Sequence, residues 1–385
     1  MGATHSWIEG LRHLSPAVWG NRWLAWRDRW LADERFRRWA AAFPLTRHVA
    51  RRRAAALFDL AAGFVYSQVL LACVELQVFD RLARGPLSLT ELARRMDLEA
   101  PAARRLLDAA TALRLLERRS ADHYGLAQLG AALVDNPALA AMVRHHRTLY
   151  ADLADPVQLL RGTRASMLGR LWPYARSADP AALDARQVAE YSALMAASQS
   201  LVADEVLDAY DFSAHRLLLE VGGGEGAFIE RAAQRVPQLR FALFDLPAVA
   251  ERARTRLARG PAGARTDVVA GDFFVDPLPR GADLATLIRV VHDHDDHAAL
   301  ALLRKVREAM APGGALLLAE PMSDTPGARA MGDAYFGIYL FAMGQGRPRS
   351  RQELARLLHE AGYKAIRPLA THLPLQVGLL CVRAP

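Results

Sequence analysis

Short apolar runs recur through the second half of the chain, and stretches with helical spacing separate them. The run at 217–221 is followed by glycines at 222, 224 and 226, and a helical pattern begins directly afterwards. Apolar runs of this length are typical of buried parallel strands, whereas amphipathic helices repeat every three to four residues. Similar runs lie at 240–247, 267–274, 284–291 and 315–320. The alternation predicts an α/β domain with a mainly parallel sheet.

Polar side chains stand at the ends of these predicted strands. Asp245 ends the second run, Asp272 ends the third, and the fourth leads directly into His292. Open α/β sheets bind their ligands at this carboxyl edge. Glycines at G-x-G-x-G spacing permit a tight turn and let a ligand approach the backbone, and an acid at the end of the next strand can accept the hydroxyls of a ribose. The sequence therefore predicts a nucleotide-type cofactor site.

The first half of the chain has a helical pattern from about residue 54 to residue 160. A capping-box pattern at Ser88 opens one helix, and Pro101 stands where the first turn of the next helix favours proline. Two short predicted strands around a polar turn follow at 115–126. Two helices and a hairpin make a winged helix, which commonly binds DNA, so a DNA-binding regulator is one alternative. The second helix offers only two arginines for phosphate contacts, which disfavours that alternative.

The N-terminal part of the chain is a basic arm rich in tryptophan. Residues 1–55 contain eleven arginines and four acids, and six of the seven tryptophans precede residue 40. Trp19, Trp23, Trp26 and Trp30 are spaced by 4, 3 and 4 residues, which puts them on one face of a predicted helix. Such a face can lie in an anionic membrane surface. It can equally pack on the rest of the chain or on a second subunit, and both interpretations stay open at this point.

Length and composition bound the class of protein. A chain of 385 residues with 52% hydrophobic residues can hold two domains with large cores. We expect an arm at 1–54, a helical unit at 55–160 and a catalytic domain at 161–385. No run of about eighteen uncharged apolar residues occurs, so we expect no membrane-spanning helix. Because charges interrupt the N-terminal apolar runs and only two cysteines are present, we expect neither a signal peptide nor a disulfide framework. We expect a cytoplasmic protein, with residues 1–50 as the part that would touch the inner or photosynthetic membrane peripherally.

These motifs resemble those of class I S-adenosylmethionine-dependent O-methyltransferases of the two-domain type. The resemblance covers the chain from about residue 60 to the last residue. It rests on the segments 220–226 (EVGGGEG), 244–247 (FDLP), 271–274 (GDFF), 290–296 (VVHDHDD) and 312–314 (PGG). Two further segments, 319–336 and 342–350, resemble the carotenoid hydroxyl O-methyltransferases of purple photosynthetic bacteria, of the hydroxyneurosporene or demethylspheroidene type. The resemblance implies a Rossmann-like methyltransferase domain preceded by an all-helical, winged-helix dimerisation domain.

The resemblance also implies the partners and the cofactor. It implies a homodimer held by the helical N-terminal half, with a winged helix that binds no nucleic acid, and no metal ion. S-adenosylmethionine would lie at the glycine turn, with Asp245 on the ribose and with Asp272 and Phe273 around the adenine. The implied cofactor-binding residues are Glu220, Gly222, Gly224, Gly226, Asp245, Leu246, Asp272, Phe273 and Arg289. Arg289 occupies a position where the plant relatives usually carry a lysine.

His292 matches the catalytic base of this family, and Glu320 matches an acid that orients the base. A sulfonium methyl donor carries its own leaving group, so the protein must align the acceptor hydroxyl and remove its proton. A histidine steered by a carboxylate suits the removal of the proton. Two residues depart from the family pattern: His294 replaces a tryptophan, and Pro348 stands where the plant enzymes have a second orienting glutamate. The sequence therefore names the base but leaves its orientation open.

The predicted acceptor site is apolar. It comprises Tyr191, Met195, Tyr335, Phe336, Tyr339, Phe341 and Met343. Aromatic and thioether side chains suit a long, polarisable hydrocarbon. We therefore expect methylation of a hydroxyl of an acyclic carotenoid, and the resemblance to the hydroxyneurosporene and demethylspheroidene enzymes implies the 1-hydroxy group. Another hydrophobic small molecule, phenolic or polyketide, is the alternative.

A metallo-hydrolase is a remote alternative, because residues 292–297 follow the metal-binding pattern H-x-H-x-D-H. That pattern belongs to a different fold. It would also leave the glycine turn, Asp245 and Asp272 without a role.

Overall fold

The computed structural model describes residues 16–172 and 180–385, and our expectations for residues 1–15 lie outside this part of the chain. Two units follow one another along the sequence. The first is helical and contains a small three-stranded sheet, and the second is built around a seven-stranded sheet. The predicted α/β class with an N-terminal helical, winged-helix unit is confirmed.

The described part of the N-terminal arm, from residue 16, is helical, and Trp23, Trp26 and Trp30 of its aromatic stripe are exposed. Its helices are α1 (Pro16–Ala32) and α2 (Glu34–Ala42). The ring of Trp30 makes edge-to-face contacts with Trp26 and with Phe36, at centroid distances of 5.8 and 5.6 Å. Trp23, Trp26 and Trp30 expose between 48% and 59% of their surface. These three tryptophans therefore do not pack on the rest of their own chain, which leaves a second subunit or a membrane as the partner of the stripe.

The helix after the arm, α3 (Arg47–Glu75), is 29 residues long and crosses the boundary that we placed after residue 54. By length and composition alone it could cross a membrane, and only 17% of its most apolar 18-residue stretch is buried. Our expectation that no helix spans a membrane stays a prediction, and Asp59 is the only charge between residues 54 and 74. Its exposed apolar residues include Leu57, Phe58, Leu60, Phe64 and Val65. An exposed apolar face of this size is typical of an interaction surface.

The predicted winged-helix unit is present. Its elements are α4 (Val78–Leu82), β1 (Leu87–Ser88), α5 (Leu89–Met96), α6 (Ala100–Ala112), β2 (Leu116–Arg118), β3 (His123–Leu126) and α7 (Gln128–Ala131). The strands pair antiparallel in the order β1-β3-β2. Ser88 accepts the N–H of Glu91 at 3.2 Å and opens α5, whereas the Glu91 carboxylate binds Arg94 and Arg95. One half of the predicted capping box therefore forms.

Four helices connect this unit to the large sheet. They are α8 (Pro137–Asp152), α9 (Pro156–Leu160), α10 (Met167–Leu171) and α11 (Ala185–Ala209). Asn136 accepts the N–H of Leu139 at 3.0 Å, and a proline occupies the first turn, so α8 begins with both an N-cap and a favourable first residue. α8 then packs against α3, α10 and α11.

The second unit is built on seven strands. They are β4 (Leu217–Val221), β5 (Arg240–Asp245), β6 (Thr266–Ala270), β7 (Ala282–Ile288), β8 (Met310–Glu320), β9 (Lys364–Leu369) and β10 (Gly378–Arg383). Their spatial order is β6-β5-β4-β7-β8-β10-β9, parallel from β6 to β8, with β10 antiparallel to both neighbours. The helical segments around the sheet are α12 (Ala227–Arg235), α13 (Pro247–Leu257), α14 (Asp296–Ala309), a π-helical segment (Ala330–Phe336), α15 (Gly337–Met343) and α16 (Arg351–Glu360). Alternate residues of β4 enter two cores, Leu219 on one face and Leu218 on the other.

Several strand ends differ from the sequence-based expectation. β6 ends two residues before Asp272, and β7 ends four residues before His292. The apolar runs continue past the last paired residue, so they predict strands that are too long. β8 begins at Met310, before the predicted run at 315–320, and includes the segment 312–314. These differences place Asp272 and His292 on the loops that follow the strands at the sheet edge.

Candidate active site

A cavity of about 320 Å³ lies at the carboxyl edge of the sheet. It sits where the strand order reverses between β4 and β7, which is the usual ligand site of an open α/β sheet. α11 contributes the opposite wall. The predicted cofactor residues on the cavity wall are Gly222, Gly224, Asp245, Leu246, Asp272, Phe273 and Arg289. The other two, Glu220 and Gly226, are buried under the glycine turn.

The glycine turn needs its glycines for two different reasons. Gly222, Gly224 and Gly226 all have positive φ, between +58° and +78°, which side-chain-bearing residues rarely adopt. At Gly224 a Cβ would meet nothing within 4 Å, so that backbone is open to a ligand. At Gly226 a Cβ would lie 2.9 Å from the side chain of Leu257, so this glycine lets α12 pack closely on α13.

Two acids below and beside the turn fit a cationic cofactor that carries hydroxyl groups. Asp245 accepts the N–H groups of Gly224 and Leu246 at 2.7 and 2.8 Å, and desolvation raises its pKa to about 6. Burial, followed by the charge of Asp245, raises the pKa of Glu220 well above its usual range. Oε2 of Glu220 has no hydrogen-bond partner within the described residues. A buried polar atom of this kind is costly unless a ligand satisfies it, so both acids suit the ammonium, sulfonium and ribose groups of S-adenosylmethionine.

The aromatic wall of the cavity explains one departure from the family pattern. The ring of His294 contacts Phe273 and Phe274 edge-to-face, at centroid distances of 5.6 and 5.1 Å. Burial lowers the pKa of His294, which keeps the ring neutral near physiological pH. Asp272 lies beside these rings and accepts the N–H of Phe274 at 2.8 Å. His294 therefore supplies a flat neutral ring beside the predicted adenine site, where the relatives have a tryptophan.

Arg289 joins the end of β7 to α11. Its φ is +57°, a left-handed conformation that a residue with a side chain holds only when its surroundings enforce it. Its guanidinium donates to Oγ of Ser198 at 3.0 Å and contacts Sδ of Met195 at 3.1 Å. These contacts hold the guanidinium on the wall between the sheet edge and the helical side of the cavity.

His292 and Glu320 form a buried pair behind this wall. His292 lies in a single helical turn, Val291–Asp293, and its Nδ1 bonds Oε2 of Glu320. The other oxygen of Glu320 accepts the backbone N–H groups of Val290 and Val291 at 3.1 and 2.7 Å. The same carboxylate therefore holds both the ring, through Nδ1, and the loop that carries it.

The carboxylate of Asp293, which the sequence analysis did not identify, lies on the other side of the His292 ring. Oδ1 of Asp293 is 3.2 Å from Nε2 of His292, and Asp293 lines the cavity. Burial by itself lowers the pKa of His292, but the charges of Glu320 and Asp293 raise it to about 10. The imidazole is therefore protonated at neutral pH in the cofactor-free protein. A sulfonium cation beside it would lower this pKa, because like charges disfavour each other.

Arg349, a buried arginine, holds the loop that carries His292. It directly follows Pro348, the position that we compared with a second orienting glutamate of the plant enzymes. Arg349 is only 2% exposed. It donates to the carbonyl oxygens of Val291 and His294 at 2.8 and 2.7 Å and to Oδ1 of Asp296 at 2.8 Å. The chain thus stabilises the backbone of the loop rather than the ring of the base. The available signal in the sequence was that Arg349 directly follows Pro348. We had noted Pro348 only because a glutamate is absent there.

The backbone of the same segment approaches His292 closely. Arg347 donates its N–H to the carbonyl oxygen of His292 at 2.9 Å. Gly346 precedes it with φ +79°, and a Cβ there would overlap the same carbonyl oxygen. Only glycine fits at this position, so the segment and the histidine loop are held at a fixed distance.

The structure brings only part of the predicted acceptor set to the cavity. Tyr191 and Met195 line it from α11. Tyr335, Phe336, Tyr339 and Met343 belong to an apolar cluster with Leu149, Leu168 and Trp172, and Phe341 is exposed. Our expectation that the whole set lines one cavity is corrected accordingly. Helical spacing identifies residues that share a face, but it does not say which element that face meets.

Other cavity residues escaped the sequence reasoning. They include Trp172, Ser192, Asp293, His294 and Gln345. Trp172 is the only tryptophan outside the arm, which was an available signal. Ser192 and Gln345 carried none, because single polar residues of these types are common everywhere.

The H-x-H-x-D-H segment is not arranged as a metal site. His292 bonds Glu320, and the ring of His294 packs on Phe273. Within residues 16–172 and 180–385, no group of three or more His, Cys, Asp and Glu side chains is placed to hold a metal ion.

Comparisons with known proteins identify the family. The O-methyltransferase domain family matches residues 150–364, and the O-methyltransferase dimerisation domain family matches residues 58–136. The chain is 43% identical over 335 residues to demethylspheroidene O-methyltransferase of Cereibacter sphaeroides, which covers 87% of this chain and 88% of that protein. It is 42% identical over 338 residues to the enzyme of the same name from Rhodobacter capsulatus, covering 85% and 83%.

A solved structure agrees with this assignment. Human N-acetylserotonin methyltransferase, in complex with S-adenosylmethionine, is similar with a TM-score of 0.71 and 28% identity over 86% of this chain and 97% of that one. The dimerisation domain supports a homodimer, and its match spans the winged helix. The chain therefore belongs to the S-adenosylmethionine-dependent O-methyltransferases, with a Rossmann-like catalytic domain, an N-terminal dimerisation domain and a small-molecule acceptor.

Proposed function

We propose that this enzyme methylates the 1-hydroxy group of an acyclic carotenoid of the hydroxyneurosporene or demethylspheroidene type. The observation that carries the proposal is the identity of 43% and 42% to two enzymes named for demethylspheroidene. The acceptor side of the cavity agrees in chemistry, since Trp172, Tyr191 and Met195 line it. Flat rings and a thioether suit a long conjugated hydrocarbon.

A hydrophobic phenol or polyketide is the second candidate acceptor. Human N-acetylserotonin methyltransferase shares the fold at 28% identity, and its name gives it a small aromatic acceptor. The same aromatic wall would accept such a ring. The lower identity makes it the weaker candidate.

His292 is the general base of the proposed reaction. S-adenosylmethionine supplies an electrophilic methyl group with its own leaving group. Nε2 of His292 takes the hydroxyl proton as the acceptor oxygen is methylated, while Glu320 holds Nδ1 and stabilises the imidazolium that results. The glycine turn and Asp245 hold the donor side in place, and such positioning can contribute about 7–11 kcal/mol. A well-placed base adds about 10²–10⁴-fold.

The exposed aromatic arm is proposed to bring this cytoplasmic enzyme to the membrane that holds its acceptor. Trp23, Trp26 and Trp30 are exposed together, and residues 1–55 carry a net charge of +7. Indole rings favour the bilayer interface, and arginines favour anionic head groups. A carotenoid acceptor dissolves in the bilayer, so a peripheral contact would shorten its path to the cavity. We also propose domain boundaries at residues 54 and 160, which separate the arm, the helical dimerisation unit and the catalytic domain.

The test is a methyl-transfer assay with labelled S-adenosylmethionine. The acceptor panel contains a 1-hydroxylated acyclic carotenoid, its non-hydroxylated parent as a matched control, and soluble phenols and catechols. We expect label only in the hydroxylated carotenoid, at a kcat/KM at least about tenfold above that of any phenol. Preferred turnover of a phenol would overturn the substrate proposal without affecting the family assignment.

A further inference from the structure

Two consecutive histidines on α8 bind two tyrosines near the loop that carries His292. Nε2 of His145 lies 2.9 Å from Oη of Tyr339, and Nε2 of His146 lies 2.7 Å from Oη of Tyr335. The partners are 194 and 189 residues apart in sequence. Tyr335 is in the π-helical segment and Tyr339 is in α15, so the two bonds span the junction between these elements.

Burial fixes the charge state of both pairs. Desolvation, with the neighbouring His146, lowers the pKa of His145 to about 4, and desolvation also lowers the pKa of His146. Burial raises the pKa of both tyrosines. The histidines are therefore neutral and the tyrosines protonated at physiological pH. Each pair is a hydrogen bond between two neutral groups, an imidazole and a phenol.

Packing alone does not explain these pairs. They lie beside an apolar cluster that contains Leu149, Leu168 and Met343. Phenylalanines and aliphatic residues would fill the same volume without desolvating four polar groups. Buried hydrogen-bonded pairs stabilise only one arrangement of the elements that carry them, because any slip leaves both partners unsatisfied. Two such pairs side by side therefore fix the position of the π-helical segment on α8.

The element held in this way lies against the proposed base. The ring of Phe336 packs edge-to-face on Tyr335 and on Tyr339, at centroid distances of 5.0 and 6.2 Å. On its other side it lies 6.3 Å from the ring of His292. A continuous series of aromatic contacts therefore runs from α8 to the histidine. π-helical turns are rare, and they occur frequently at functional sites.

We infer that His145 and His146 are positioning residues, which hold Tyr335 and Tyr339 so that Phe336 stays packed against His292. They act through other residues and touch neither the cofactor nor the acceptor. The inference rests on the proposed role of His292 as base. According to this inference, α8 helps to align the acceptor hydroxyl, although it belongs to the region that connects the two units.

The test uses the full-length dimer and a measurement that needs no acceptor. The variants are Tyr335→Phe, Tyr339→Phe, His146→Leu and His146→Gln, where glutamine can still accept the hydroxyl bond. Tyr363→Phe is the matched control, because Tyr363 is a buried tyrosine whose hydroxyl donates to the carbonyl oxygen of Leu303 at 3.1 Å, in the sheet core. The readout is the rate at which diethyl pyrocarbonate modifies His292, followed by peptide mass spectrometry across a pH series.

Loss of the hydroxyl bonds should uncover His292. We expect its modification to become about three- to tenfold faster in Tyr335→Phe, Tyr339→Phe and His146→Leu, and to stay at the wild-type rate in His146→Gln and Tyr363→Phe. S-adenosylmethionine affinity, measured by calorimetry, should change less than about twofold in all of them, while kcat for the acceptor falls. Equal modification rates in Tyr335→Phe, Tyr339→Phe and the control would overturn the inference.

The two proposals fail separately. If the hydroxylated carotenoid is not methylated but the reactivity of His292 responds as expected, the substrate proposal fails and the positioning role stands. If the carotenoid is methylated with the same kcat by Tyr335→Phe and by the wild type, and His292 is equally reactive in both, the positioning role fails.

Discussion

Glu320 binds the ring of His292 with one carboxylate oxygen and the backbone of the same loop with the other. Ring and loop therefore cannot rotate independently, and Nε2 is the nitrogen left for proton exchange. Asp293 lies 3.2 Å from that nitrogen and lines the cavity. One imidazole thus lies between two carboxylates, which fixes both its orientation and its charge.

Replacement of the base should separate catalysis from cofactor binding. In His292→Gln we expect the methylation rate to fall by about 10²–10⁴-fold, the usual contribution of a general base, with unchanged affinity for S-adenosylmethionine. His215→Gln is the control, because His215 is another buried histidine, hydrogen-bonded to Tyr210 at 2.8 Å and absent from the cavity wall. Wild-type turnover in His292→Gln would mean that water removes the proton.

The charge state of His292 predicts a rate that rises with pH. Only the neutral ring accepts a proton, and the pKa of His292 in the free protein is about 10. The rate should therefore increase from neutral pH upwards and level off at the lower pKa that the ring has beside a bound sulfonium. In Glu320→Gln the loss of a negative charge lowers the pKa, so the rising limb should move to lower pH. A rising limb at the same pH in Glu320→Gln and in the wild type would contradict this assignment.

Asp245 predicts a pH dependence of cofactor binding with a different midpoint. Its pKa is about 6 in the free protein, and a bound ribose and cation favour the ionised form. Affinity for S-adenosylmethionine should be constant above pH 6 and weaken as the pH falls below it. Asp245→Ala should weaken binding several-fold or more and remove this dependence. Asp267→Ala, an exposed acid on the next strand, is the control, and calorimetry is the measurement.

Replacement of Arg349 should lower stability strongly, although this residue touches neither the cofactor nor the acceptor. Arg349→Met leaves two carbonyl oxygens without their donor and removes one of the two arginines that bind Asp296, so the free energy of unfolding should fall by about 2–4 kcal/mol. Arg347→Met is the matched control, because Arg347 is a partly exposed arginine of the same segment that binds Asp296 and Glu353, and such pairs contribute about 0–1 kcal/mol. Denaturant titration of both variants measures the difference. Equal losses would show that the buried contacts of Arg349 add nothing.

The tryptophan stripe predicts salt-sensitive binding to lipid. Replacement of Trp23, Trp26 and Trp30 by alanine should abolish binding to anionic vesicles, and binding of the wild type should weaken as salt rises. Vesicles of zwitterionic lipid are the control. Light scattering decides the other possibility: if the variant becomes a monomer and vesicle binding is unchanged, the stripe belongs to the subunit interface.

The sequence by itself determined the nucleotide-binding half of the site. Apolar runs, the glycine spacing and Asp245 specify a strand, a turn and a strand end, and these features depend on neighbours close in the chain. His292 and Glu320 were paired through the family resemblance, and the parallel neighbours β7 and β8 bring them together. The long apolar stretch of α3 was also readable in the sequence, because Asp59 is its only charge between residues 54 and 74.

Only the tertiary structure decided how the base is held and where the aromatic residues go. Arg349 reaches the histidine loop across 55 to 58 residues of sequence, and His145 meets Tyr339 across 194. The spacing of apolar residues along the sequence does not predict such contacts, because they depend on which helix faces meet after the sheet has formed. For the same physical reason Tyr335 and Tyr339, which share a face with Phe336 on any helical diagram, bind α8 and not the cavity. Local pattern fixes the elements, and the packing of distant elements fixes which of their side chains can act.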